Sequence, residues 1–355
     1  MKHCIEIINK ALNKEVITPY FHEGFGVLLL NSVGFLHTAA NKKLINKLLK
    51  IGLFSRIFHT LKTTGLYSKN GFFFIKSLNG CVVIDVNNEK VYKILNRTLE
   101  PDFIDNEQRA NSILPSVAPK IFESFVIDNF SVVVQELIYK KEVLSWVKWD
   151  ERLMCIFPLM ISKSNHIQRV QVKAYLDYIN AKLSIIDKED EYFKSYSKSI
   201  NRSLQILFNR YSKDVECQYK IFSHGDLTPN NVMVTNNSYR IIDFANGGNL
   251  SYSYDLMLQN FYFIDKKTWL SFDKILFKKN EQKGVFFGLS KYYFSLLEEV
   301  YGIMLTENSI KLSLVISLAE IYIKNNQRYQ SDEEYKNGIE IMENISHICH
   351  SIRNS

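Results

Sequence analysis

The spacing of apolar and polar positions changes several times along the chain. Between Asn41 and Leu61, Leu44, Ile45, Leu48, Leu49, Ile51 and Leu53 recur at near-helical intervals beside Lys42, Lys43, Lys47 and Lys50. That is the pattern of a helix with one apolar and one basic face. From Gly71 the period shortens. Phe72–Ile75 reads as a strand and Ser77–Gly80 as a turn. Cys81–Val86 and Lys90–Leu95 read as two strands joined through Asn87, Asn88 and Glu89. A helix is expected from Asp102 to Leu114, ending near Pro115, followed by strands over Lys120–Val126 and Phe130–Leu137. Residues 139–220 look mainly helical, with stretches Val143–Phe157 (halted by Pro158), Tyr175–Ile186 and Ile200–Tyr211. Two short strands, Val232–Val234 and Tyr239–Ile242, flank a turn at Asn236–Ser238, and helices are expected from Asp255 to the end. The reading is an α+β protein in three parts. Residues 1–69 form a basic helical N-terminal extension, 70–138 a small β-rich unit, and 139–355 a larger, mainly helical one.

Composition adds bounds rather than identity. With 355 residues, 46% hydrophobic and 23% charged, the chain can bury ordinary globular cores. Five scattered cysteines without a CxxC argue against a disulfide framework and for a reducing, cytoplasmic setting. The apolar run Phe25–Leu36 is too short to span a bilayer, and the first ten residues lack the order of a signal peptide. Residues 1–69 hold ten Lys and Arg against three Glu, a surplus equal to the +7 of the whole chain. Basicity is therefore a property of the extension and not a nucleic-acid footprint. Two readings stand for the extension: a helix packed on the body with Lys in water, or peripheral contact with an anionic membrane face.

Chemistry concentrates in Ile221–Gly248, IFSHGDLTPNNVMVTNNSYRIIDFANGG. His224-Gly225-Asp226 is followed by Asn231, then by two short strands that end at Asp243-Phe244. Phosphoryl transfer needs an acceptor hydroxyl in line with a γ-phosphate and divalent cations to offset charge. Asp226 is the candidate base that orients that hydroxyl and takes its proton. Asn231 and Asp243 supply hard oxygen ligands of the kind Mg²⁺ prefers.

HGDLTPNN with IIDF resembles the catalytic and metal-binding motifs of the aminoglycoside phosphotransferase and choline kinase superfamily, which has a bilobal protein-kinase-like fold. The resemblance covers about half of the chain, from about Phe72 to Leu256. It implies an ATP- and Mg²⁺-dependent phosphotransferase. It also implies a strand lysine for the nucleotide phosphates, Lys93 in Val91-Tyr92-Lys93-Ile94, with Lys90 as competitor on the opposite strand face. Glu107 would be its helix partner; the bland alternative is that Lys93 and Glu107 are surface charges. Glu136-Leu137-Ile138 would form a hinge whose backbone meets the adenine edge, and Ser77–Gly80 a phosphate-covering turn with a single glycine. His224 would be a scaffold of the catalytic loop, a general-base role being the other reading. Asp255 either braces that loop or caps a helix.

Only twelve steps separate Asp243 from Asp255, and no proline follows Pro229, so there is no room for a peptide-seating activation segment. The expected acceptor is the hydroxyl of a small molecule, sugar or glycan, with an aminoglycoside or choline as alternatives. The contrasting reading is a catalytically inactive pseudokinase or nucleotide-binding scaffold.

Overall fold

The computed structural model describes residues 72–77, 80–85, 88–138, 149–163, 167–189, 194–235, 238–263, 285–328, 343 and 345–349. The extension 1–69, the middle of the Ser77–Gly80 turn and the first half of the expected helix Val143–Phe157 lie outside them. The chain divides into two compact units. The first takes Met1–Trp146 with Pro229–Asn246, the second Val147–Thr228 with Gly247–Ser355.

Unit 1 is built on a five-stranded antiparallel sheet. Its strands are β1 (Phe72–Ser77), β2 (Gly80–Asp85), β3 (Lys90–Asn96), β4 (Ile121–Ile127) and β5 (Phe130–Glu136), in the order β1-β2-β3-β5-β4. β3 and β5 pair in register from Lys90↔Glu136 to Asn96↔Phe130. Val and Ile runs suit strands covered on both faces. One face carries Cys81, Val83, Tyr92, Ile94, Val132 and Val134. Leu95 and Val133 on the other pack against Phe103 of α1 (Phe103–Ile113). Gly80 lies against β3 so closely that a Cβ there would sit 1.9 Å from the Ile94 carbonyl oxygen. The turn into β2 thus admits only glycine. A two-stranded ladder of β8 (Val232–Val234) and β9 (Tyr239–Ile241) belongs to this unit as well.

Unit 2 is mainly helical. Its helices are α2 (Trp149–Lys163), α3 (Val172–Glu189), α4 (Lys194–Tyr211), α5 (Tyr254–Phe263), α6 (Val285–Tyr301) and α7 (Glu307–Arg328). Pro158 does not halt α2; it lies inside the helix. A proline there cannot donate to the carbonyl four residues back. The Met154 carbonyl accepts from the Tyr292 hydroxyl of α6 instead, at 3.1 Å. The expectation that 139–220 is mainly helical also misses two strands. β7 (Cys217–Ser223) pairs with β6 (Gln168–Gln171) on one side and β10 (Gly248–Ser251) on the other in a three-stranded sheet. α7 carries Leu312, Leu314, Val315, Ile316, Leu318 and Ala319, all without exposure, so it runs buried on nearly every side. No described helix is long and apolar enough to cross a membrane.

Candidate active site

In unit 1, alternation along β3 decides between the two lysines. Lys93 shares a sheet face with Leu95, the face covered by α1. Its Nζ donates to Glu107 Oε1 at 2.5 Å and to Asp243 Oδ1 at 3.0 Å. Lys90 instead lies over the exposed Phe122 ring. Lys93 is 5% and Glu107 2% exposed, whereas the Asp243 side chain is 44% exposed. Burial opposes the lysine's charge, but Asp243 and Glu107 outweigh it and raise its pKa above the ordinary value. The lysine is therefore held as a cation. Neither it nor Glu107 is a surface charge.

The β8–β9 ladder sets the other two oxygen donors. Val232 pairs with Ile241, and the Ile242 N–H donates to the Asn231 carbonyl at 2.8 Å. Asn231 and Asp243 thereby flank the same end of the ladder. Asp243 has φ +69°, a left-handed conformation that Asp tolerates better than most residues. The turn after it is fixed by α1, whose Asn106 donates to the Ala245 carbonyl at 3.1 Å.

Glu136 ends β5, and its carboxylate is engaged twice. Arg240 donates to Oε1 at 2.5 Å and the Lys120 N–H to Oε2 at 3.1 Å. Arg240 also donates to the Val117 and Ala118 carbonyls at 3.2 and 2.9 Å. The Glu136 and Leu137 N–H groups donate to the carbonyls of Lys120 and Glu89. Ile138 follows, half-buried.

In unit 2, His224-Gly225-Asp226 leaves the end of β7. Gly225 adopts φ +83°, which needs a residue without Cβ strain. Asp255 accepts the His224 N–H at 2.7 Å and the Gly225 N–H at 2.9 Å. It therefore braces the loop, as one of the two readings has it. Burial pushes its carboxyl pKa up, against His224 and the two N–H groups that favour the charge. His224 is fully buried and its Nδ1 accepts the Asp226 N–H at 3.1 Å, a scaffold contact rather than one poised for proton transfer. Asp226 itself is half-buried. One turn along α5, Gln259 donates to the Leu227 carbonyl at 2.6 Å and accepts from the Trp149 indole at 2.8 Å.

Sequence reading missed Arg240, Asn106, Gln259 and Trp149. Only Gln259 carries a signal, its four-residue separation from Asp255, which puts both on one helix face.

No known family model and no curated protein sequence matches the chain. Solved structures do. A thermostable mutant of aminoglycoside phosphotransferase APH(4)-Ia in ternary complex with ADP and hygromycin B is similar at a TM-score of 0.53 and 11% identity, over 82% of this chain and 96% of that one. Its apo form gives 0.52 and 11%, over 79% and 94%. The choline kinase from Cryptosporidium parvum Iowa II gives 0.45 and 15%, over 80% and 88%. The chain thus has the fold of the aminoglycoside phosphotransferases, a bilobal kinase-like α+β fold.

Proposed function

We propose, for a chain with this fold, that it is an ATP-dependent phosphotransferase acting on a hydroxyl of a small molecule, sugar or glycan. The observation that carries the reading is the buried lysine. A lysine this far from water, kept charged between a helix carboxylate and a half-exposed one, suits a site that receives phosphates. In this reading Lys93 holds the α- and β-phosphates and Glu107 orients it. With the Glu136 and Leu137 N–H groups already donating inside unit 1, the Ile138 N–H and the Glu136 carbonyl are left to meet the adenine edge.

Asn231 and Asp243 fit Mg²⁺ as a donor set, since both offer hard oxygens and flank one ladder end. Mg²⁺ held there would offset charge on the triphosphate. Asp226 takes the acceptor proton, a role worth about 10²–10⁴-fold in rate. His224 and Asp255 hold its backbone in place.

The test has two stages. Thermal shift with ATP, with and without Mg²⁺, should show Mg²⁺-dependent stabilisation. Labelled ATP with a panel of hydroxyl acceptors, from aminoglycosides and choline to sugars and glycans, should then show transfer. Binding without transfer to any acceptor would leave a nucleotide-binding scaffold, and absence of binding would remove the reading altogether.

A further inference from the structure

The proposed base sits on a loop whose carbonyl side is held by a group that no motif marks. Gln259 is fully buried, and its two amide atoms face opposite demands. The Trp149 indole is a donor only, so the atom facing it at 2.8 Å is Oε1. The orientation of the amide follows without ambiguity, and Nε2 must donate to the Leu227 carbonyl at 2.6 Å. Leu227 directly follows Asp226. Asp255, four residues earlier on α5, takes the N–H groups of His224 and Gly225. Two residues of one helix face thus grip the loop on both sides of Asp226, one by its N–H groups and one by its carbonyl. Trp149 and Leu227 are themselves wholly buried, so water cannot replace either bond.

We propose that Gln259, oriented by Trp149, is a positioning residue that fixes Asp226 for proton acceptance. This rests on the phosphotransferase reading only for its kinetic consequence. A carboxylate displaced by about 1 Å loses about 10²-fold in rate, so the residue should act on turnover while leaving nucleotide binding alone.

Two substitutions separate positioning from mere packing. Gln259→Met keeps the volume and removes both bonds. Gln259→Glu keeps the acceptor for Trp149, but it can donate to Leu227 only while its carboxyl is protonated. With ATP and water as acceptor, Gln259→Met should lower kcat by about 10²-fold with unchanged KM for ATP, and Gln259→Glu should do so at any pH where its carboxyl is ionised. For Gln259→Glu alone, the ratio of variant to native kcat should rise as pH falls. Native-state hydrogen exchange provides a readout that needs no activity. The amides of 224–227 should exchange about tenfold faster in Gln259→Met, while those of α7 stay unchanged. Unchanged exchange at 224–227 overturns the inference, whether or not the protein hydrolyses ATP. A native-like kcat in Gln259→Met overturns it too. If exchange rises as expected but the native protein neither binds nor turns over ATP, the phosphotransferase reading fails and Gln259 remains the anchor of the loop.

Discussion

Lys93 in unit 1 and Asp255 in unit 2 are charged side chains almost wholly out of water, at 5% and 3% exposure, yet they are kept there by different partners. Lys93 is held between two carboxylates, and its pKa goes up in spite of burial. Asp255 is held by two backbone N–H groups, and burial wins, pushing its pKa up toward the neutral form. The difference separates two ways of building a site. A cluster of paired side chains does not depend on any one member: Glu107 stays buried beside the lysine, while the Asp243 carboxylate is half-exposed. A brace made of backbone bonds cannot exchange anything without moving the loop it holds.

That contrast can be broken most sharply at its reactive residues. Asp226→Asn should abolish transfer, by about 10²–10⁴-fold, with ATP affinity retained. Asp243→Ala should weaken Mg²⁺-dependent nucleotide binding itself. Calorimetric titration alongside turnover checks both, and a fully active Asp226→Asn enzyme would contradict the assigned role.

Next in size, Lys93→Met strands Glu107 as an uncompensated buried carboxylate and should cost about 3–5 kcal/mol of stability. Adding Glu107→Gln should restore part of it, because a neutral amide needs no counter-charge. Denaturant midpoints of the single and double variants decide whether the pair is coupled in this way.

Smaller again, Arg240→Ala removes charge-assisted bonds to Glu136 and two carbonyls from a partly exposed position. A loss of about 1.5–3 kcal/mol is expected in thermal denaturation. A null result would mean that the tie between β9 and the end of β5 adds nothing to unit 1.

The smallest effect concerns Glu320, buried on α7, which accepts the Tyr175 hydroxyl at 2.6 Å and the Ser251 N–H at 3.0 Å. Burial raises its carboxyl pKa despite these bonds. A raised folded-state value means the folded protein holds the proton more tightly. Its contribution to stability is then complete below the unfolded pKa, near 4.5, and is lost as pH rises through the folded one. Glu320→Gln lacks that titration, so its Tm relative to the native protein should climb between pH 4 and pH 8. A constant difference would show that Glu320 does not titrate differently on folding.

Much of this was legible along the chain because it is local. Short β-branched apolar runs within Cys81–Leu95 and Phe130–Leu137, bounded by Asn and Asp, specify strands from local sequence alone. The HGD and IDF segments stand out by residue type and spacing, and the short strands between them form as read. What stayed hidden depends on partners far away in sequence. β6 is Gln-Arg-Val-Gln, with no alternation to read, and becomes a strand only because β7 pairs with it. Pro158 reads as a stop but lies inside α2, where the Met154 carbonyl accepts from Tyr292, 138 residues beyond Met154.

By itself the sequence determined the α+β class and the strands and helix of unit 1 from Cys81 to Leu137, since each is a property of near neighbours on the chain. The sequence named Lys93 with Lys90 as competitor; the tertiary structure decided that Lys93 is the buried one, because strand pairing and the covering helix select a sheet face and Asp243 meets it across 150 residues. It alone recruited Arg240, whose partners lie more than 100 residues away, and Gln259 and Trp149, whose bonds form where burial removes water as a competing partner.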